Sequence, residues 1–232
     1  MRIAELGSIL LTLVAAGCGF DLADARGPSV TGGAGGSGAT GGAGGDATGG
    51  GGAQAEGGSG GTAAIELHAT IDTNKGPIVV ELNSAASPIT VENFRSYADA
   101  QFYDGLIFHR VIKDFMVQGG GLLPDMTEKT PLFPPIVNEA QSSGLSNLTG
   151  TIAMARTSVP NSATSQFYIN TADNTFLDPG QDTTAGYCVF GMVIEGMPVV
   201  TTIENVATQS VGAYDDVPVD PVLINSIVVE QM

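Results

Sequence analysis

At residues 108–121 the chain contains the stretch FHRVIKDFMVQGGG. Its alternating apolar pattern predicts two short strands within residues 106–118, joined by a polar turn. Because side chains alternate across a strand, Phe108, Arg110 and Ile112 are expected on one face of the first strand. A guanidinium between two apolar neighbours is unusual, since a buried arginine needs a partner. Arg110 therefore either pairs with one of the chain's many carboxylates, with its stem along the apolar surface, or performs chemistry.

The amino-acid composition differs between two parts of the chain, a glycine-rich segment and the residues that follow it. Seventeen of the 33 glycines lie between Thr31 and Gly61. Residues 62–232 are about the size of one ordinary domain and can bury a core. Five of the 24 acidic and two of the eight basic residues precede Thr62, so residues 62–232 carry a net charge of −13. A surface this acidic repels phosphate backbones, and nucleic acid is not an expected partner.

The first 17 residues predict a secretory signal peptide of the lipoprotein type. Residues 8–16 form an apolar core that is too short to span a bilayer. Residues 14–18, VAAGC, resemble the lipobox of bacterial lipoproteins, in which the cysteine carries the lipid. This resemblance implies lipidation at Cys18 and a membrane anchor, and ordinary export with an unmodified Cys18 is the alternative.

Residues 18–61 are predicted to form a disordered, glycine-rich tether. Within them, residues 31–61 contain two charges and no large apolar side chain. Such a segment cannot offset the entropy lost on ordering, so a flexible coil is expected. The domain is therefore predicted to occupy residues 62–232.

Residues 62–232 have the pattern of an all-β domain. Strands are predicted at residues 66–73, 77–82, 151–156, 165–170, 187–194 and 221–230, in addition to the two in the opening stretch. Helices are predicted at residues 88–100, where Ser87 would supply the N-cap oxygen, and at 198–205. The prolines of residues 122–147 predict an irregular loop. Many short strands without βαβ order predict a barrel or a sandwich, which the apolar last strand would close by pairing with the first.

The sequence lacks the usual motifs of metal sites and of nucleophilic catalysis. The chain has two histidines, His68 and His109, and no Cys/His spacing typical of zinc, so neither a metal nor a cofactor is expected and His109 is taken as structural. Cys188 lies in an apolar run without an adjacent base and is expected to be a small buried side chain. Glycines 119–121 precede no helix and predict a turn. What remains is one arginine among aromatic and amide side chains, which suits rotation about an X-Pro bond because that reaction needs no nucleophile.

Three motifs in order resemble those of the cyclophilin-type peptidyl-prolyl cis-trans isomerases. They are FHRVIKDFMVQGG at residues 108–120, GTIAMART with SATSQFYIN at residues 150–170, and FLD with YCVFG at residues 176–191. The resemblance covers about residues 64–229 and is closest to periplasmic bacterial members. It implies an all-β fold, a closed eight-stranded antiparallel barrel with two capping α-helices.

The resemblance also implies a role for each matching residue. Arg110 is the implied catalytic residue, whose guanidinium donates toward the prolyl amide and stabilises its twisted state. The implied substrate-binding residues are Phe115, Met116, Gln118, Ala155, Arg156, Gln166, Tyr168, Phe176, Leu177 and Tyr187. Ala155 and Arg156 are expected to act through their backbone, and Gln166 to support Arg110 or the substrate. Phe176 and Tyr187 replace the tryptophan and histidine of many eukaryotic members, and the bacterial type tolerates both changes.

The resemblance therefore implies a peptidyl-prolyl cis-trans isomerase that assists the folding of exported or envelope proteins. Its implied partners are proline-containing polypeptides and, through Cys18, a membrane. We expect a monomer in the cell envelope, facing the periplasm or otherwise secreted. Two alternatives change the function. A binding module would hold proline-bearing segments without turnover, and a small-molecule-binding barrel would need an open interior, whereas eight-stranded barrels are usually filled by their own side chains.

Overall fold

The computed structural model describes residues 66–180 and 185–232. The predicted signal peptide (residues 1–17), Cys18 and the predicted tether (residues 18–61) lie outside the described residues. No helix within the two described ranges is long and apolar enough to cross a membrane.

The described chain consists of ten strands, three helices and a single 3-10 turn at Thr175–Leu177. The strands are β1 (Leu67–Thr73), β2 (Gly76–Leu82), β3 (Ile107–Ile112), β4 (Met116–Leu122), β5 (Thr151–Met154), β6 (Phe167–Asn170), β7 (Val189–Glu195), β8 (Thr208–Val211), β9 (Tyr214–Pro218) and β10 (Val222–Gln231). The helices are α1 (Pro88–Asp99), α2 (Ala140–Ser143) and α3 (Met197–Glu204).

Eight of these strands form a closed antiparallel barrel in the order β1-β10-β3-β4-β6-β5-β7-β2. The predicted closure is confirmed, because the first strand pairs with the last along its length and Ile71 lies opposite Ile227. The barrel interior is filled by large side chains that are fully buried, among them Phe108, Phe167 and Phe190. This filled interior argues against the small-molecule-binding barrel.

Helices α1 and α3 close the core of the barrel. The face of α1 that packs on this core is apolar, since Val91, Phe94, Tyr97 and Ala98 are all buried. Phe94 packs its ring edge to face on Phe167, at a centroid distance of 5.5 Å. Helix α3 buries Val200 and Ile203 in the same core.

Ser87 is the N-cap residue of α1, but the prediction that its side-chain oxygen caps the helix is wrong. Ser87 precedes the helix, but it makes no side-chain capping bond, and its hydroxyl donates to the Val189 carbonyl at 2.8 Å. The Glu139 carboxylate takes its place by accepting the backbone N–H groups of Ile89 (3.2 Å) and Thr90 (2.8 Å). A carboxylate suits this position, because it satisfies free N–H groups and complements the helix dipole.

The pairing of β3 with β4 contains two irregularities that correct the sequence prediction. Phe108 pairs with Gly119 and Arg110 pairs with Gln118, so His109 is an extra residue in a β-bulge. The bulge reverses the alternation, and Phe108 lies in the barrel core while Arg110 lies on the other face. The prediction that Phe108 and Arg110 share a face is therefore wrong, and only Ile112 shares the face of Arg110.

The glycines of the opening stretch belong to β4 and do not form the predicted turn. Ile107 pairs with Leu122 and Phe108 with Gly119, so Gly120 and Gly121 form a second bulge within the strand. Gly120 has φ +84°, and a Cβ there would lie 3.0 Å from the rings of Phe167 and Tyr103. Only glycine combines this conformation with so close an approach.

Other elements depart from the sequence prediction at its polar segments. The hairpin of β8 and β9 was not predicted, and it pairs outside the barrel. The short helix α2 lies inside residues 122–147, where an irregular loop was expected. Cys188 is buried, as its apolar surroundings in the sequence indicated.

Candidate functional site

A row of residues on the outer face of the barrel places the predicted arginine beside a pocket. The strand register pairs Arg110 of β3 with Gln118 of β4, and Gln118 with Tyr168 of β6. Tyr168 in turn pairs with Ala153 of β5. Neighbouring strands lie about 4.8 Å apart, so the row brings Arg110 to roughly 10 Å from the Tyr168 backbone.

The residues predicted to form the proline pocket belong to an apolar cluster separate from the barrel core, and this cluster is called the pocket below. Its buried members are Met116, Ala153, Ala155, Tyr168, Leu177 and Val189, and its partly buried members are Ile112, Phe115, Leu145 and Tyr187. The structure thus brings together six of the predicted substrate-binding residues, which come from five separate segments of the chain.

Aromatic contacts form the rim of the pocket. Phe176, on the 3-10 turn, is 38% exposed and stacks on Phe115 at a ring-centroid distance of 5.9 Å. On the other side the ring of Tyr187 meets the ring of Tyr168 edge to face at 6.1 Å. An aromatic rim over a buried apolar floor suits a flat, apolar ring such as that of proline.

Two glutamines link the arginine end of the row to β6. Gln118 is buried, and its Nε2 donates to Oε1 of Gln166 at 3.0 Å. Gly121 leaves room for this bond, because a Cβ there would lie 2.6 Å from the Gln166 carboxamide. The Oε1 of Gln118 is buried without a hydrogen-bond partner among the described residues. Unsatisfied buried acceptors are rare in native proteins and mark sites where function outweighs stability.

The structure places Arg156 as a support for the rim. Its guanidinium lies 4.3 Å from the centre of the Tyr187 ring, and its Nε donates to the Gly186 carbonyl at 2.9 Å. The backbone N–H of Ala155 donates to the Gln166 carbonyl at 2.9 Å. That N–H is therefore already used, and Ala155 has only its carbonyl to offer a bound peptide.

Comparison with known families identifies the fold and this site together. A family profile described as "Cyclophilin type peptidyl-prolyl cis-trans isomerase/CLD" matches residues 68–229, which contain every residue of the row and the pocket. The chain belongs to the cyclophilin-type peptidyl-prolyl isomerases. Members of this family catalyse cis-trans isomerisation of peptidyl-prolyl bonds, so this cyclophilin is an enzyme of that class.

Bacterial relatives share about half of their residues with this cyclophilin. Peptidyl-prolyl cis-trans isomerase A of Dickeya dadantii is 51% identical over 164 residues, which cover 71% of this chain and 85% of the relative. Peptidyl-prolyl cis-trans isomerase B of Escherichia coli is 48% identical over 164 residues, 70% of this chain and 99% of the relative.

Solved structures of a cyclophilin-type isomerase from Cryptosporidium parvum share the fold. One is 27% identical, with a TM-score of 0.60 over 71% of this chain and 98% of the other. A second, determined in the presence of the dipeptide Ala-Pro, is 28% identical, with a TM-score of 0.59 over 70% of this chain and 98% of the other.

Two ionisable side chains at the site of this cyclophilin, His109 and Tyr168, stay uncharged near neutral pH. Burial lowers the pKa of His109 to about 4, with the nearby Arg110 charge adding to the effect, so its ring is neutral above pH 5. Burial raises the pKa of Tyr168 well above its usual value of 10, so its phenol keeps its proton. Neither His109 nor Tyr168 is therefore poised to exchange a proton at physiological pH.

Sequence reasoning missed the polar residues behind the pocket. The Tyr168 hydroxyl donates to Oδ1 of Asn147 at 2.8 Å, and Asn147 is fully buried. Asn147 lies in a polar segment with no periodic pattern, so no local signal distinguished it from an exposed loop residue. Asp178 was quoted only as part of the third motif, and its contact with Asn147 depends on tertiary packing.

Proposed function

We propose that this cyclophilin isomerises X-Pro bonds in exported or envelope proteins, with Arg110 as its catalytic residue. The observation that carries the chemistry is the β-bulge at His109, which turns Arg110 away from the core and into the row beside the pocket. The observation that carries the location is the signal-like sequence ending at Cys18.

Arg110 acts on the amide nitrogen. The barrier to rotation about a peptide bond comes from resonance between the nitrogen lone pair and the carbonyl, and is about 18–20 kcal/mol. An N–H donated by the guanidinium to that lone pair favours the pyramidal nitrogen of the twisted state. Because the arginine is fixed beside a buried pocket, this stabilisation needs little reorganisation during the reaction.

The pocket holds the proline ring. Phe115, Met116, Tyr168 and Leu177 supply its apolar walls, and Phe176 and Tyr187 its rim. Gln118, supported by Gln166, and the backbone at Ala155 and Arg156 bind the flanking peptide. The relative whose structure was determined in the presence of the dipeptide Ala-Pro supports a proline-binding role. Holding the ring while the rest of the peptide turns converts binding energy into catalysis.

Residues 1–17 direct export, and lipid on Cys18 holds the protein at the membrane. Each buried methylene contributes about 0.8 kcal/mol, so more than one acyl chain gives a lasting anchor. The glycine-rich residues 18–61 then connect the anchor to the isomerase domain, residues 62–232. From there the enzyme, acting as a monomer, reaches proline-containing chains in the periplasm.

Replacing Arg110 with Ala tests the chemistry. We expect kcat/KM on a peptide with one Ala-Pro bond to fall about 100-fold to 1,000-fold, with the melting temperature nearly unchanged. Arg95→Ala is the matched control, because Arg95 is a surface residue of α1 that pairs with Asp99 at 3.5 Å. Turnover unchanged in the Arg110 variant would reject the proposed role. Peptide binding without turnover by the unaltered protein would favour the binding module.

The mass of the mature N-terminus tests the location. We expect the protein purified from membranes to begin at Cys18 and to carry the added mass of acyl chains. The Cys18→Ser variant should lose that mass and leave the membrane fraction. An N-terminus at Cys18 without added mass would indicate ordinary export, and an intact Met1 would reject the export proposal while leaving the isomerase activity standing.

A further inference from the structure

A buried hydrogen-bond network lies directly behind the pocket and is centred on Asn147. Its Oδ1 accepts from the Tyr168 hydroxyl at 2.8 Å and from Nδ2 of Asn170 at 3.3 Å. Its Nδ2 donates to Oδ1 of Asp178 at 2.9 Å and to the Tyr187 carbonyl at 3.3 Å. A carboxamide has two donors and two acceptor sites, and all four are used here.

The partners of Asn147 belong to three different walls of the pocket. Tyr168 forms part of its floor, Asp178 directly follows the wall residue Leu177, and Tyr187 stands at the rim. These residues come from β6, from the 3-10 turn and from the segment before β7, and no strand ladder joins the last two to the floor. One side chain therefore links segments whose spacing sets the width of the pocket.

Asp178 fixes the orientation of Asn147. Besides the side-chain bond, its Oδ1 accepts the backbone N–H of Asn147 at 2.8 Å, and its Oδ2 accepts a short hydrogen bond from the Ser146 hydroxyl. The carboxylate can only accept, so the amide nitrogen of Asn147 must face it and the amide oxygen must face Tyr168. The network has a single consistent arrangement.

The network extends to the remaining wall through Asn174. Its Nδ2 donates to the Phe115 carbonyl at 2.8 Å and to Oδ1 of Asn170 at 2.7 Å. The backbone N–H of Asn174 donates to the Asn147 carbonyl at 2.7 Å. Phe115, Tyr168, Leu177 and Tyr187 are thus all held, directly or through an adjacent residue, by one set of hydrogen bonds.

We propose that Asn147 and Asp178 are positioning residues that hold the four walls of the proline pocket at the spacing the substrate needs. They touch no substrate themselves. Their bonds pre-organise the pocket, and a site organised before binding loses less entropy when the ligand enters. The inference rests on the isomerase activity of the family and is independent of the envelope location.

The chain offers a matched pair of carboxylates for the test. Asp178 accepts the Asn147 N–H and the Ser146 hydroxyl, and Asp173 in the same region accepts the Thr149 N–H (2.9 Å) and the Thr149 hydroxyl (2.8 Å). Asp173 is exposed, and both of these bonds come from Thr149, which is not a member of the pocket cluster. Asp178→Ala and Asp173→Ala therefore both remove hydrogen bonds accepted by a carboxylate. Only the bonds to Asp178 connect residues that organise the pocket.

The experiment measures KM and kcat separately on a peptide with one Ala-Pro bond, using the full chain. We expect Asp178→Ala to raise KM about tenfold with kcat within about twofold, because Asp178 accepts three hydrogen bonds that position a wall of the pocket. Asp173→Ala should leave both constants within about twofold of the unaltered protein. Asp178→Asn, which keeps an acceptor for Asn147, should restore KM to within about threefold.

A merely structural role gives a different result. It would lower the folded fraction, and so reduce apparent kcat while KM stayed constant, which would overturn the proposal. An equal rise of KM in Asp173→Ala would also overturn it.

If Asp178→Ala fails to fold, Tyr168→Phe decides, since it removes only the Tyr168 hydroxyl that donates to Asn147. KM about threefold higher supports the proposal, and unchanged KM rejects it. Inactivity of the unaltered protein would instead contradict the family activity.

Discussion

The Gly121 backbone and the Gln166 side chain occupy adjoining space, and their contact shows how one missing Cβ can serve a site. A Cβ on Gly121 would lie 2.6 Å from three atoms of Gln166, so the glutamine would have to leave its present position. Its hydrogen bond with Gln118 at 3.0 Å would then be lost. The third glycine of the opening stretch is thus needed for side-chain placement more than for a turn.

Gly121→Ala should lower kcat/KM about fivefold by displacing Gln166, because one hydrogen bond in the site is worth about 1 kcal/mol. Gln166→Ala alone should have a similar effect. The double variant should be no worse than either, since both changes remove the same interaction. A double variant whose loss equals the product of the two single losses would show that Gly121 acts by another route.

His109 makes the stability of the protein depend on pH. Its pKa is lowered from 6.5 to about 4 in the folded chain, chiefly by burial, so the folded state disfavours the charged ring. Between pH 6.5 and 4 the unfolded chain binds a proton that the folded chain does not. The contribution is present above pH 6.5 and is lost as the pH falls toward 4. The free energy of unfolding should drop by about 3 kcal/mol over this range.

Urea unfolding at pH 7 and pH 4.5 measures this effect. His109→Gln should flatten the difference between the two pH values, because glutamine does not titrate. His68→Gln is the matched control, as His68 is the other histidine and lies half-buried on β1. It should keep the dependence of the unaltered protein. Persistence of the full difference in the His109 variant would assign it to other groups, such as the carboxylates.

Sequence reasoning named six residues that the structure brings together in the pocket cluster, but it did not predict on which face Arg110 lies. Arg110, Met116 and Tyr168 stood out through motifs that also specify their neighbours. The face of Arg110 was predicted incorrectly, because strict alternation cannot anticipate the extra residue at His109. A bulge arises from the pairing of two strands, and the sequence of one strand carries little sign of it.

At the scale of elements, helix α1 depends on a residue about 50 positions away. Glu139 is buried and accepts two backbone N–H groups and the Thr90 hydroxyl at the N-terminus of the helix. We expect Glu139→Ala to lower the free energy of unfolding by about 2 kcal/mol, because it leaves these donors buried without partners. Urea denaturation monitored by circular dichroism measures the change.

Ser87→Ala is the control that separates capping from the loss of any buried bond. Ser87 holds the position where a local cap was predicted, but it bonds to the Val189 carbonyl instead. Its removal should cost about 1 kcal/mol, roughly half the effect of Glu139→Ala. If Ser87→Ala proved the more damaging of the two, the serine would be the functional cap and the assignment to Glu139 would be wrong.

Strands with an apolar face could be predicted, and elements without one could not. The predicted bounds of β1, β2 and β10 differ from the observed ones by one residue, because each strand buries alternate side chains. The hairpin of β8 and β9 has an almost entirely exposed first strand, so it offers no alternation to detect. Helix α2 has four residues, too few for a helical period.

At the scale of the whole molecule, barrel closure was predictable from the sequence, whereas the hydrogen-bond network behind the pocket was not. An apolar first strand and an apolar last strand each need a partner strand. Pairing the two with each other is the simplest way to provide one. The Asn147 network depends instead on where polar segments meet after the barrel has closed. No pairwise pattern along the chain contains that information, which is why a family resemblance found the walls but not what holds them.

The charge of the domain leads to a prediction about substrates. Residues 62–232 carry 19 acidic and six basic residues, and two of the basic ones, Arg110 and Arg156, lie in the site itself. Near the pocket these arginines offset the negative field, but an approaching peptide first meets the acidic surface. Electrostatic attraction of this kind acts over about 10 Å at 0.1 M salt and much farther at low salt.

Two peptides with the same central Ala-Pro bond, one flanked by lysines and one by glutamates, measure this field. At low ionic strength we expect kcat/KM to be about threefold higher for the lysine peptide, because the negative surface concentrates cations near the site. At 1 M salt, where screening acts over about 3 Å, the two values should converge. A neutral peptide of the same length should fall between them and change little with salt. A preference that survives 1 M salt would instead indicate direct contacts with the flanking side chains, and a preference for the glutamate peptide would mean that the site arginines dominate the field.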